Sequence, residues 1–383
     1  MAKKLLIIVI ILSIFITTSC WSRKEIEDLG FIMGMGISKT DAGLYSIAAQ
    51  LANPEAIASE NPDQREIYTI IEAEGGTIFD ALRNLSLESS RRLYFPHLVA
   101  LVIDEKIAKN GMSEVVGLLV QDEEVRQGFY VFVSKVAPKD ILDTPNTIGL
   151  LPAIALQEFA ERQGAASKVY VSDFKSTLEA SNNEVINYVT TLVELEPPPT
   201  EGEMELLKLT QIAVFDHDRL VGYLDLEQGQ GYNFLTNNFD NGLIFFEKKT
   251  SNDLLTIEML KSRTEVTPQY KNKEISFEVK VKASGNIAER TPHTTPPHEL
   301  SILEVESQLN QVIEDKIYNV ICAAQNEFEV DIFNFSAFFA RKYPKEFQKY
   351  KNQWNSVFAQ TEISVEVATE VIHSALKLNE GDD

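Results

Sequence analysis

The stretch LSILEVESQLNQVIEDKIYNVICAAQNEF constrains this chain most. In it Ile302, Val305, Leu309, Val312, Ile313, Ile317, Val320, Ile321, Ala324 and Phe328 return every three or four residues. That spacing predicts one long amphipathic helix with a single apolar stripe, and such a stripe needs a surface to cover. The segments upstream supply one. Residues 209–215 and 220–224 read as strands flanking the turn DHDR, and 228–238 as a helix or loop. Residues 243–247, 254–266 and 274–283 then alternate apolar and polar side chains, as in SFEVKV, so each strand has one wet face. The expectation is an antiparallel sheet covered by the helix, followed by a shorter aromatic-rich helix over 331–340 and a late strand over 363–367.

The first half mixes the two element types. Residues 31–37 and 44–51 form a hairpin around Thr40-Asp41-Ala42-Gly43, a polar loop occupies 53–65, and 67–73 is strand-like. Thr77 and Asp80 make a capping pair, after which Ile78, Leu82, Leu85 and Ser89 mark one buried helix face. A basic pair, Arg91-Arg92, then suits a helix C-terminus. Residues 98–103 read as a buried strand, 115–120 as helix, 128–136 as strand, the residues after Pro138 and 149–162 as helices, and 185–195 as strand. Three consecutive prolines in EPPPTEGE can join neither a helix nor a ladder, and they set the main boundary. The organisation expected is therefore an N-terminal α/β region over 20–195, with a further break near 125–150 left open. A proline-rich linker over 196–203, a C-terminal α/β domain over 204–375 and an acidic tail over 376–383 complete it. The fold class is α+β or mixed α/β, multi-domain, with antiparallel-rich sheets covered by helices.

Residues 1–19 are set apart. Lys3 and Lys4 precede an apolar run over 5–16, interrupted only by Ser13. At about 1.5 Å per residue the run covers roughly 18 Å, short of the roughly 30 Å hydrocarbon core. It suits a secretory h-region rather than a permanent span. Short polar residues then lead to Cys20, whose thiol can take a thioether-linked diacylglycerol, with an N-acyl chain following cleavage. The site reads as a bacterial lipobox, with Thr17 where such sites carry Leu. The alternative is an ordinary secreted protein with an incidental cysteine.

The net charge of −22 argues against nucleic acid and against electrostatic adhesion to anionic lipid. Acyl chains would have to hold such a body at a membrane. With Cys20 modified, Cys322 has no disulfide partner and reads as a half-buried small hydrophobe on the long helix. Catalytic constellations are not evident. His293 and His298 share one Pro/Thr loop and make a weak metal set. Asp216, His217 and Asp218 suit hairpin-turn chemistry, and acidic neighbours such as Asp122 and Glu124 are expected by chance in so acidic a chain. No cofactor and no metal are expected.

Four stretches together resemble the Ger(x)C family, the lipoprotein C subunits of bacterial spore nutrient germinant receptors. CWSRKEIEDLGFIMGMGIS is similar to the start of the mature family members through Cys20, Trp21, Arg23, Glu25 and Leu29. EGGTIFDALRNLSLESSRRLYFPHLVALVI resembles the next signature through Gly76, Thr77, Ser90, Arg91 and His97. TQIAVFDHDRLVGYLDLEQGQGYNFL resembles the opening of the C-terminal domain through Ala213, Val214, Phe215, Leu220, Val221, Gly222 and Leu224. VDIFNFSAFFARKYPKEFQKYKNQWNSVF resembles the closing motif through Asp331, Ile332, Phe333, Pro344 and Trp354. This chain has Ser336 where the family usually has Gly, and Phe347 where it often has Trp.

The resemblance implies a three-domain mixed α/β fold with no catalytic role, held on the outer face of the inner spore membrane by lipid on Cys20. It implies membrane-embedded A and B subunits as partners in nutrient-triggered germination, and leaves direct binding of the small-molecule germinant open. The motif positions Trp21, Gly76, Arg91, His97, Phe215, Gly222, Asp331 and Phe333 are expected to serve structure or partner contact. Two other classes compete. A solute-binding lipoprotein of a transporter would show two doubly wound lobes around a cleft. An exported cell-wall hydrolase would need a convergent polar site.

Overall fold

A computed structural model of the chain describes residues 28–58, 67–121, 125–145, 151–183, 185–198, 200, 205–250, 252–292 and 301–374. The strands are β1 (Leu29–Lys39), β2 (Tyr45–Ala52), β3 (Tyr68–Gly75), β4 (Arg92–Tyr94), β5 (Ala100–Asp104), β6 (Tyr130–Ser134), β7 (Tyr188–Glu196), β8 (Leu206–Asp216), β9 (Arg219–Leu224), β10 (Gly242–Glu247), β11 (Leu254–Lys271), β12 (Glu274–Thr291) and β13 (Glu362–Ser374). They form two sheets in a mixed α/β fold. The first runs β3-β2-β1-β5-β6-β7-β8-β9, with β4 also paired to β1, and the second runs β10-β11-β12-β13.

The middle of the first sheet is parallel: β1 with β5, β5 with β6, and β6 with β7. Parallel strands are buried on both faces, and the continuous apolar run Ala100-Leu101-Val102-Ile103 is wholly buried for that reason. Leu101 and Ile103 face one core with Ile78, Leu85, Ile107, Val115 and Phe174. Ala100 and Val102 face another with Ile141, Leu142, Ala153 and Leu156. Both edges are antiparallel hairpins. The turn between β1 and β2 uses Gly43 at φ +84. Gln50 of β2 is fully buried, donating to the Leu142 carbonyl at 2.5 Å and accepting from Ala153 N at 3.2 Å. It thereby satisfies an orphan amide at the start of the helix Pro152–Glu161.

The proline-rich stretch expected over 196–203 begins at the last residue of β7 and leads to β8, and the two strands pair antiparallel from Tyr188–Phe215 to Glu196–Leu206. The first sheet thus runs across it. The layout also differs from the two doubly wound lobes of a solute-binding protein.

In the second sheet β10, β11 and β12 are antiparallel, and β11 and β12 are long, 18 residues each. β13, the late strand, joins the other edge of β12, and it pairs with β12 in parallel. A parallel neighbour needs a crossover, and the chain makes one through the helices between the two strands. Ile275, Phe277, Val279, Val281 and Ala283 of β12 face inward under the long helix, Ile302–Cys322. Val305, Leu309, Ile313, Ile317, Val320 and Ile321 are its buried stripe, whereas Ile302 is exposed. Cys322 is also exposed, contrary to expectation. One residue past Ile321, it is turned about 100° around the helix away from the stripe. A π-helical turn, Ala323–Glu327, ends the helix. Side chains of the helix also reach the outer backbone of β13. The two sheets share one core, to which Val189, Ile212 and Val214 of the first and Leu255, Phe277 and Val279 of the second all belong.

Several helix limits differ from the sequence reading. The helix capped by Thr77 spans Ile78–Leu85 and stops before Ser89. The aromatic-rich helix spans Phe335–Lys342 instead of starting at Asp331, because the Asp331 side chain caps the turn ahead of it. Helices Glu105–Asn110 and Phe174–Ser181 were not anticipated; both are short and begin at an Asp cap, Asp104 and Asp173.

Candidate functional site

The motif residues fall into two groups. One is a buried polar hub on Asp331. The chain turns at Asn334, which is left-handed at φ 59, so that backbone amides converge on the Asp331 carboxylate. Oδ1 accepts from Phe333 N and Phe335 N, each at 3.1 Å. Oδ2 accepts from Ser336 N at 2.8 Å and Trp354 Nε1 at 2.7 Å. The residue is fully buried, and burial pushes its carboxyl above the ordinary carboxylate range, against the pull of these four donors. The backbone extends the hub. The Asp331 carbonyl accepts from Asn187 Nδ2 at 3.2 Å, and Asn187 Oδ1 accepts from His217 N at 3.0 Å. Asn355 Oδ1 accepts from Asn187 Nδ2 and from Asp331 N, while its Nδ2 donates to Asp216 Oδ1 at 3.0 Å.

The hub therefore ties the residue before β7, the β8–β9 turn and the C-terminal helices together. The DHDR turn does more than reverse the chain. His217 sits at φ 54, and the Asp218 carboxylate accepts from Ser113 N at 3.2 Å and from Ser113 Oγ, at the start of the helix Ser113–Gln121. Phe215 stacks on Tyr188 with centroids 4.4 Å apart. Gly222 lies against Phe328, where an added Cβ would come within 2.4 Å of the ring. Phe333 packs with Tyr232, Phe335 and Phe358. The two departures from the motif fit locally: Ser336 is buried and bonds the hub through its amide, and Phe347 packs edge-on to Trp354 at 5.6 Å. The hub's carboxylate is filled by internal donors, so its chemistry is that of a clasp.

The second group runs from the turn after β3 to the first residues of β1 and β4. Gly76 N donates to Asp80 Oδ2 at 2.9 Å and Asp80 N donates to Thr77 Oγ1 at 3.1 Å, closing the N-terminus of the helix Ile78–Leu85. Arg91 does not serve that helix's C-terminus, which lies six residues earlier at Leu85. It stands in the segment entering β4, with its amide on Ser89 Oγ and its guanidinium 3.7 Å from Glu55. His97 is exposed and packs edge-on to Phe31 at 5.4 Å, beside Tyr94.

Cys20, Trp21, Asp122, Glu124, His293 and His298 lie outside the described residues. Among the described residues no group of three or more His, Cys, Asp or Glu is placed to hold a metal ion. The sequence reading missed Gln50, Asn187 and Asn355. Each is a polar residue beside apolar runs, IAAQLA, INYVTTLV and QWNSVF, and that contrast was the available signal.

Comparison with known proteins gives the same reading at both ends of the chain. Residues 22–195 match the family described as spore germination protein N-terminal domain, and residues 210–375 match the spore germination B3/GerAC-like C-terminal family. Spore germination protein KC of Bacillus subtilis (strain 168) is 26% identical, with 98% of this chain and 97% of that protein covered. Spore germination protein B3 of the same organism is 21% identical, covering 92% of this chain and 93% of that protein. The crystal structure of the GerBC protein shares the fold, with a TM-score of 0.55 at 19% identity, covering 91% of this chain and all of that one. The chain therefore belongs to the Ger(x)C family, the non-enzymatic C-type subunits of spore germinant receptors.

Proposed function

We propose that this chain is a lipid-tethered receptor subunit, held through Cys20 on the outer face of the spore inner membrane, where its folded body engages membrane-embedded A and B subunits during nutrient-triggered germination. The observation that carries the reading is the junction at the N-terminus: a short apolar run closed by small polar residues and Cys20, ahead of a large acidic body. No helix of the described residues is long and apolar enough to cross a membrane. Two acyl chains on one residue suffice for stable attachment, since each buried CH₂ contributes about 0.8 kcal/mol. Tethering raises the local concentration of the body near membrane partners, so modest contacts suffice.

The Asp331 clasp serves this role by keeping the two sheets in one arrangement, so that partners meet a fixed surface. The test is germination of spores carrying Cys20→Ala. The variant body should fold, leave the membrane fraction and depress the nutrient response. A variant retained on the membrane with a full nutrient response would remove the tether from the mechanism.

A further inference from the structure

Although the chain carries a net charge of −22, three arginines gather beside the first residues of β1. Arg83 comes from the last turn of the helix Ile78–Leu85, and Arg91 and Arg92 from the segment entering β4. With Ser86, Ser89 and Ser90 they line a groove of about 720 Å³ between that helix and β4, and no acidic side chain of the described residues lines it. Glu55, at 3.7 Å from Arg91, is a neighbour outside the groove, and both partners of that pair are solvent-accessible. Two large apolar side chains stand at the same place: Phe79 is 52% exposed and Leu87, in the turn after the helix, is 82% exposed. The Arg83 guanidinium lies 4.9 Å from the centre of the Phe79 ring, which holds cation and ring together.

The position of this patch gives it meaning. β4 is the parallel neighbour of the first residues of β1, with Arg92 paired to Leu29. At about 3.5 Å per residue, the stretch from Cys20 to Leu29 reaches roughly 30 Å at most. The patch therefore adjoins the point where the chain leading from Cys20 enters the first sheet. Basic side chains flanked by exposed apolar ones suit the phosphate and acyl boundary of an anionic leaflet. The remainder of the body is strongly acidic and is repelled by the same surface.

We propose that Phe79, Arg83, Leu87 and Arg91 form a membrane-contact face. The two arginines take phosphates of anionic lipid headgroups, Phe79 and Leu87 enter the headgroup layer, and the body is held in one orientation above the bilayer. The proposal rests on the reading of Cys20 as lipidated. It adds that the lipid does not let the body swing freely.

Hydrogen–deuterium exchange on the lipidated full-length protein tests it. On phosphatidylglycerol vesicles, amides of residues 79–92 should exchange several-fold more slowly than in the Cys20→Ser chain free in solution. Phosphatidylcholine vesicles should retain the protein through its acyl chains and give no such protection. Each basic residue near an anionic surface multiplies partition about five-fold, so an Arg83→Gln, Arg91→Gln chain that also carries Cys20→Ser should bind phosphatidylglycerol vesicles about 30-fold more weakly than Cys20→Ser alone. Leu87→Ser should reduce the protection without altering the fold, since that side chain is exposed. Protein retained on phosphatidylglycerol with 79–92 unprotected overturns the face and leaves the tether. Protein not retained on any vesicle overturns both. Equal protection by inorganic phosphate alone makes the groove a soluble-anion site, and protection confined to native spore membranes makes it a protein interface; either result overturns the lipid assignment.

Discussion

The carboxylate of Glu314, on the long helix, accepts a hydrogen bond from the backbone N–H of Val367 in β13 at 3.2 Å. The contact repeats along the helix. Glu306 takes the amide of Val371, Asn310 that of Thr369, and the Tyr318 hydroxyl that of Val365. Four residues of helix advance about 6 Å and two residues of strand about 6.6 Å, so every fourth helix residue meets every second strand amide. β13 is the edge of its sheet. Its outward amides would otherwise invite another chain, and the helix covers them instead.

Removing these acceptors should expose the edge. Asn310→Ala with Glu314→Ala is expected to cost about 1–3 kcal/mol in chemical denaturation, from two amides losing partners. The double variant should also become more prone to self-association, read by sedimentation over a concentration series. Unchanged stability and a monomer at every concentration would show that solvent replaces the ladder without cost.

The Asp331 clasp carries a larger share of the stability. Asp331→Ala strands three backbone amides and the Trp354 indole in a buried site and is expected to destabilise by about 3 kcal/mol or more. Asp331→Asn keeps acceptor oxygen and should cost less. A double-mutant cycle on Asn187→Ala and Asn355→Ala should return a coupling of about 0.5–3 kcal/mol, since the two side chains bond each other and share Asp331.

Glycines in helices give opposed expectations. Gly231, in the helix Leu226–Leu235, faces Lys316 of the long helix, and a Cβ there would come within 2.2 Å of the Lys316 carbonyl oxygen. Gly231→Ala should lower stability by about 1–3 kcal/mol through forced separation of the helices. Gly117, in the helix Ser113–Gln121, has open space around it, and Gly117→Ala should raise stability by about 0.5–1 kcal/mol. Thermal melting of both variants checks the pair.

Two glutamates set an acid limb. Partial burial opposes ionisation of Glu72 and Glu105, but ion pairs and hydroxyl donors outweigh it and hold both carboxyls below their usual range. Glu72 meets Lys139 at 2.8 Å and Ser46 Oγ at 2.7 Å; Glu105 meets Lys109 at 2.9 Å and the Tyr223 hydroxyl at 2.7 Å. A depressed folded-state pKa stabilises above the unfolded value of 4.5, and that contribution is lost as pH falls through the folded value. Stability should decline on acidification below about pH 4.5, and Glu72→Gln with Glu105→Gln should flatten that decline. Parallel acid limbs in wild type and variant would remove these two groups as its source.

The elements with a strong period were legible in the sequence. The alternation in β10 to β12, the stripe from Val305 to Ile321 and the Thr77–Asp80 cap were read from residues alone and stand in the fold. What the sequence left unread was non-local. The parallel pairing of β13 depends on how far the helices carry the chain before it returns, which no local period encodes. The pairing of β7 with β8 across the prolines is likewise a tertiary outcome. Asp331 read as the first residue of a helix, because a capping carboxylate and a helical one look alike until the turn at Asn334 is known. The basic face was hidden by the sum: −22 over the whole chain says nothing of where three arginines collect.

The central claim is that a fatty modification of Cys20 holds this body on the bilayer. Mass spectrometry of the N-terminal peptide from protein extracted out of dormant-spore membranes tests it most directly. The account requires a chain beginning at Cys20 whose thiol and amine carry a diacylglyceryl group and an acyl chain. A free thiol at Cys20, or an intact segment 1–19 on the membrane-bound protein, would contradict it.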